Sequence, residues 1–377
     1  MNHFSRLLLS LFLLLFPKPI ALGQGQVPPR RSTPGVEHVE NGGLLFTDNQ
    51  AGGSGTDAGY SIPLQTQTLW LFGDVFLLDP ASPTKTYVGG VSNCALLVRK
   101  GAGAAPLRSY TFLTDPATGT ARQVLPLASG EGTTIRYWPY GGWYCPEDRR
   151  VYLYYARIRV TGSGAFDFQV EGHGLACADA STPERLQFTR LPAAASKPLW
   201  WPGTAGGTLF GCAVVANCPG DLLYVVGVQE RAGRKWGRLA RVRKSRITDL
   251  NAYEYFAGGT DQAPRWSHDI DEAADVPGLN DFPNELSVAY NPYLGGYLAV
   301  HSVGISERAR LSLAPNPWGP YTPIAEIATP HRAFAHAFCY ASKEHPELAE
   351  AHGRTIYLTY VDSDRYWLRL LKVTLHR

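Results

Sequence analysis

The sequence predicts an all-β fold, and within that class a five-bladed β-propeller. Two observations carry this reading. Apolar runs are short and punctuated by turn residues, with 39 Gly and 28 Pro in 377 residues, and sustained helical periodicity is scarce. Five hairpins also recur along the chain, and the second strand of each is apolar on both faces. Such a strand needs cover on both sides, which a blade stacked between two neighbouring blades supplies.

Taken in order, residues 1–23 read as a secretory signal peptide: Arg6 near the start, an unbroken apolar run over 7–16, then Ala21-Leu22-Gly23. The run is short for a membrane-spanning helix. Residues 24–41, with Pro28, Pro29 and Pro34, read as an extended leader. The propeller is expected over 42–377. The first hairpin covers 59–76, turning at Gln65-Thr66-Gln67, and the second covers 141–158, turning between Pro146 and Arg149. The third covers 208–228 and turns between Asn217 and Gly220; the fourth covers 286–303 and turns between Asn291 and Gly296. The fifth is expected over 347–361 with its turn near His352-Gly353. No interior stretch is long or polar enough to separate a second domain.

Composition narrows the function. The formal charge of +3 falls to +1 once Arg6 and Lys18 leave with the signal peptide, so nothing draws nucleic acid or anionic lipid to the chain in general. The mature protein is expected in the periplasm or secreted, as a monomer free of the membrane after cleavage. Export permits disulfides among Cys94, Cys145, Cys177, Cys212, Cys218 and Cys339. A chain this long can equally bury free thiols without staples. The cysteines lack zinc-type spacing. G-x-S-x-G, P-loop, H-E-x-x-H and Rossmann glycine patterns are missing, and neither a cofactor nor a metal is expected.

The chemistry concentrates in carboxylates. If Pro63 faces Thr68 across the first turn, antiparallel pairing places Asp57 opposite Asp74 at the open end of the hairpin. Opposed residues have Cα atoms about 4.5–5.5 Å apart. Two carboxylates that close raise one pKa, as a glycosidase requires of its acid and its nucleophile or base. Gly52 to Gly55 would let backbone approach a ligand closely. Glu285, just ahead of the fourth hairpin, is a third candidate at the same mouth. His345 and Glu347 stand two apart and would share a strand face, able to orient a sugar hydroxyl. His301 ends the fourth hairpin and is a further binding candidate; His331 and His336 show no metal-ligand spacing. Trp138 and Tyr144, at the second blade, are candidate platforms for sugar rings.

At Gly55-Thr56-Asp57-Ala58-Gly59, Leu69-Trp70-Leu71-Phe72-Gly73-Asp74, Asn284-Glu285-Leu286-Ser287-Val288 and His345-Pro346-Glu347-Leu348, the chain resembles a bacterial family long catalogued only as a domain of unknown function. Its members are similar to five-bladed furanosidase propellers, and some are endo-D-arabinanases that cut mycobacterial arabinan. The resemblance implies that Asp57 and Asp74 do the catalysis on a polysaccharide or oligosaccharide substrate. The expected function is a secreted glycoside hydrolase acting on a furanose-containing, arabinan-like polysaccharide. The alternative is a non-catalytic carbohydrate-binding propeller.

Overall fold

The computed structural model describes residues 33–377 apart from 49, 165, 205, 305 and 330–337. The expected signal peptide, most of the leader, His331 and His336 therefore lie outside the described residues. Strand β1 (Gly35–Leu44) comes first. The first blade holds β2 (Gly53–Pro63), β3 (Gln67–Leu78), β4 (Tyr87–Val91), β5 (Cys94–Arg99) and β6 (Tyr110–Phe112). The second holds β7 (Ile135–Cys145), β8 (Arg150–Val160), β9 (Phe168–Asp179), β10 (Thr189–Leu191) and β11 (Trp201–Pro202). The third holds β12 (Thr208–Val215), β13 (Leu222–Arg231), β14 (Arg234–Arg243), β15 (Glu254–Gly259) and β16 (Pro264–Ser267). The fourth runs β17 (Ser287–Asn291), β18 (Gly296–Ser302), β19 (Arg308–Ala314) and β20 (Thr322–Ala328). The fifth holds β21 (Cys339–Glu344), β22 (Thr355–Asp362) and β23 (Trp367–His376), with β1 added at its outer edge. Five antiparallel sheets result, and the protein is a five-bladed β-propeller.

Burial of the second strands explains why the blades stack. Leu69, Trp70, Leu71 and Phe72 of β3 are all fully buried, as are Val151, Leu153 and Tyr154 of β8 and Leu298, Ala299 and Val300 of β18. Side chains on alternate faces of each strand meet different neighbours. One core cluster joins the first three blades, one joins the first and fifth, one the third and fourth, and one the fourth and fifth. The core is thus a ring of interfaces between blades, each removing apolar surface from water.

Two expectations need correction. The leader expected over 24–41 is, from Gly35 onward, a strand: β1 pairs with β23 from Gly35↔His376 to Leu44↔Arg369. Without it β23 would present unpaired backbone to solvent, so the start of the domain closes the ring onto its end. The fifth hairpin also differs. Its first strand is β21, paired with β22 through Lys343↔Thr359 and Glu344↔Leu358, while Pro346–Leu348 and Ala351–Gly353 form 3-10 turns between them. Pro346 has no N–H to give a ladder, and β21 escapes an apolar-run search because Lys343 and Glu344 are charged yet buried. All six cysteines are free thiols, four of them buried.

Asn93, fully buried just before β5, ties the first blade to the second. Its amide donates to the carbonyls of Leu125 and Tyr137 at 2.9 and 3.0 Å and accepts from the N–H of Val124 and Leu125 at 3.0 and 2.9 Å. Asn93→Ala strands those four backbone groups. It is expected to lower the unfolding free energy by about 2–5 kcal/mol, read from denaturant midpoints at unchanged slope.

Candidate active site

The first hairpin keeps the register its turn dictates from Pro63↔Thr68 to Tyr60↔Leu71 and regains it at Thr56↔Val75 and Gly55↔Phe76. Between these the ladder breaks, with shifts on both sides of Ala58. Ala58 and Gly59 both have left-handed backbone, φ +64° and +75°. The direct opposition of Asp57 and Asp74 expected from the turn is therefore lost: such a bulge re-aims side chains, and here it takes Asp57 out of the ladder between Thr56↔Val75 and Ala58↔Phe72. Gly73 makes the room: a Cβ there would fall 2.2 Å from Oδ1 of Asp57. The Asp57 carboxyl therefore lies over Gly73, immediately next to Asp74 in sequence.

Asp57, Asp74, Glu285 and Trp138 line one cavity of about 1360 Å³ at the end of the channel where the inner strands begin. Tyr340 donates a 2.9 Å hydrogen bond to Oδ2 of Asp57, and Tyr366 donates a second. Burial, then the charges of Asp74 and Glu285, push the Asp57 carboxyl from 3.8 to about 7, against the pull of the two tyrosines. Burial also pushes Asp74 up, to about 6, opposed by Arg136 and by the Trp138 indole. Arg136 Nε stands 3.6 Å from Oδ1 of Asp74, an electrostatic contact longer than a hydrogen bond. Asp74 keeps 32 % of its side chain exposed to the cavity. Glu285 pairs with Lys343 at 3.4 Å. Asn284, ahead of it, holds φ at +84°, a conformation Asn tolerates better than most residues. Phe76, Tyr87 and Phe166 stand exposed at the rim, and Phe166 packs toward Phe338 with ring centroids 5.9 Å apart.

The other expected binding residues lie elsewhere. Tyr144 and Glu347 line a second cavity of about 330 Å³ where the inner strands end, with Trp143 and Glu344. Burial and the charge of Glu347 push Glu344 up to about 8, and burial raises Glu347. His345, expected at the sugar, faces neither cavity. Its Nδ1 and Nε2 are each 2.7 Å from a hydroxyl, Ser61 Oγ and Thr359 Oγ1, and its ring stacks on Trp70 at 4.2 Å. With both nitrogens used inside the fold, it holds the fifth blade to the first. His301 is buried too, bonded through Nδ1 to the Ser302 carbonyl at 2.8 Å and set edge-on to Phe282. Its lack of exposure pushes its pKa down to about 4. Residues that sequence reasoning passed over are Arg136, Tyr340, Lys343 and Tyr366. Only Lys343 left a signal, a lone lysine among the small residues of β21.

The sequence of residues 45–372 matches the family described as "Domain of unknown function (DUF4185)". The chain belongs to this family. The match begins just after β1, so the closing strand lies outside it. No curated protein matches the sequence. Among solved structures, the chain is similar to the α-L-arabinofuranosidase of Podospora anserina, at 10% identity over 91% of this chain and 98% of that one with a TM-score of 0.48. A GH43_1 enzyme of Xanthomonas citri gives 14% identity over 88% and 90%, with a TM-score of 0.47. A family 117 glycoside hydrolase of Zobellia galactanivorans gives 10% over 89% and 90%, with a TM-score of 0.46. Likeness at this level says nothing of the reaction or the sugar.

The raised carboxyl of Asp57 fixes the sign of a stability effect. A folded-state pKa moved from 3.8 to about 7 disfavours the fold progressively as pH rises between those values, and fully above the upper one. Asn carries no such proton. Asp57→Asn is therefore expected to raise the melting temperature most at pH 8, with the gain shrinking on acidification and gone near pH 4. Paired thermal melts across that range measure it. A gain that grows toward acid pH would contradict the placement of Asp57.

Proposed function

We propose that the protein is an exported glycoside hydrolase that cleaves a furanose-containing polysaccharide of the arabinan type. One observation carries the reading: two carboxyls whose surroundings differ share a single aromatic-rimmed cavity. Asp57, raised to about 7 and bonded to two tyrosines, is the proton donor to the glycosidic oxygen. Asp74, with Arg136 beside it and a lower pKa of about 6, is the carboxylate that serves as nucleophile or base. Glu285 lies close enough to add to the charge felt by Asp57.

The rim fits the substrate class. Aromatic faces pair with the apolar faces of sugar rings while leaving hydroxyls wet, and Phe76, Tyr87 and Phe166 offer such faces. A cavity of about 1360 Å³ has room for more than a single sugar. The arabinan assignment rests on the family resemblance, and export rests on residues 1–23. The same exposed aromatics favour a second reading, a propeller that binds glycans without cleaving them.

The two readings part on product. Purified protein is incubated with arabinans and galactans, and released sugars are followed. Cleavage is expected, with Asp57→Asn and Asp74→Asn each lowering kcat by about 10²–10⁴-fold. Full turnover in both variants would dismiss the aspartate pair, and tight glycan binding without product would favour the second reading. Because Asp74 must be ionised and Asp57 protonated, kcat/KM is expected to peak between the two midpoints, about pH 6 and about pH 7, and to fall on both sides. These limbs belong to the coupled pair.

A further inference from the structure

Among the described residues, Lys343 is the most deeply buried cation, with 2 % of its side chain exposed. Its three N–H donors meet three oxygens: the Ala58 carbonyl at 2.7 Å, the Ala341 carbonyl at 2.8 Å and Oε1 of Glu285 at 3.4 Å. Beneath the ammonium lies the ring of Tyr60, 4.5 Å from Nζ to centroid, an attractive cation–π placement. The Tyr60 hydroxyl in turn donates to the Cys212 carbonyl at 3.0 Å. One ammonium thus engages the first, fourth and fifth blades directly and the third through Tyr60.

The two carbonyls it binds are not ordinary ones. Ala58 and Ala341 both hold left-handed backbone, φ +64° and +58°, which costs an L-residue about 1–2 kcal/mol. Both sit in register breaks of an inner strand, Ala58 between Thr56 and Tyr60 and Ala341 between Tyr340 and Lys343. Ala58 follows Asp57. Ala341 follows Tyr340, the residue that hydrogen-bonds Asp57. The same ammonium therefore holds the bulge that aims Asp57, the bulge that aims its tyrosine partner, and the third carboxylate of the cavity. Stability alone does not call for a charge here, since an apolar side chain of similar volume often packs a buried site at least as well.

We infer that Lys343 is a positioning residue for the acidic cavity: it holds Asp57, Tyr340 and Glu285 in register with one another through the carbonyls of two strained alanines. The inference rests on the hydrolase reading for its kinetic consequence, but not for its geometry. Lys343 is faced by Glu285, Asp57 and Tyr60, with His345 two residues along its own segment and also within its field. Asp57 is faced by Asp74, Glu285, Tyr340 and Tyr366.

The test is Lys343→Met, which keeps the length of the side chain and removes the charge and all three donors. In the folded variant kcat is expected to fall about 10–100-fold with KM little changed. The Asp57 carboxyl, followed by ¹³C NMR, is expected to titrate about one pH unit higher, having lost a nearby positive charge. A folded variant with wild-type kcat and an unmoved Asp57 midpoint overturns the inference, since a purely structural lysine would change the melting temperature alone. If Lys343→Met does not fold, Glu285→Gln decides: the Lys343 ammonium resonance in ¹⁵N spectra is expected to shift in that variant, and to shift in wild type as Asp57 titrates. A resonance that stays still in both overturns it. If the wild-type protein cleaves no glycan, the hydrolase reading falls while the two NMR titrations still decide the role of Lys343.

Discussion

The site depends on where the inner strands break their ladders. Blade stacking demands regular, doubly covered strands, and the second strand of each blade supplies them. The first strand of each blade faces the channel instead, and among the described residues four of the five are irregular: β2, β7, β12 and β21 each carry a register shift against the next strand. A regular strand presents side chains at fixed alternation. A bulge releases that alternation, which is how β2 presents Asp57 over Gly73 and how β21 presents both Tyr340 and Lys343 toward the axis.

Electrostatics then follows from geometry. Carboxyls gathered in a partly dry channel are costly as anions, and the fold answers each one differently. Asp57 is given two tyrosine hydroxyls, with the Lys343 ammonium bound to the neighbouring Ala58 carbonyl rather than to the carboxyl itself, and of the two aspartates it rises further. Asp74 is given Arg136 and rises less. Glu285 is given a buried ammonium. Three chemically similar side chains thus occupy three different electrostatic settings within one cavity. The pair Glu344 and Glu347, at the far end of the channel, shows that acidity alone does not mark the site, since they share neither the tyrosines nor the arginine.

Much of this was legible in the chain. The turn at Gln65-Thr66-Gln67 fixes the pairing of β2 with β3 well enough to bring Asp57 and Asp74 to the same end of the hairpin, because hairpin register follows from turn length; the break at Ala58, which sets Asp57 over Gly73 instead of opposite Asp74, was not legible. Glu285 was legible by analogy, standing ahead of β17 as Asp57 stands near the start of β2. Tyr144 and Glu347 belong to the second and fifth blades but lie at the mouth opposite to Asp57, since position along the blade decides which end of the channel a residue reaches. His345 resembled a binding residue because its two partners, Ser61 and Thr359, are distant in sequence. The fifth hairpin was misplaced because β21 carries buried charge where apolar periodicity was sought.

By itself the sequence determined the fold class, the number of blades and the placing of the two aspartates at the same end of one hairpin, because these follow from local alternation and from turns a few residues long. The family to which the chain belongs is likewise written in its residues. The tertiary structure decided what no local pattern encodes: that β1 completes the last blade, that Tyr340 and Tyr366 arrive at Asp57 from the far end of the chain, and that Lys343 reaches the carbonyl of Ala58 in the first blade. Those contacts arise only when the ring closes, because closure brings the fifth blade against the first.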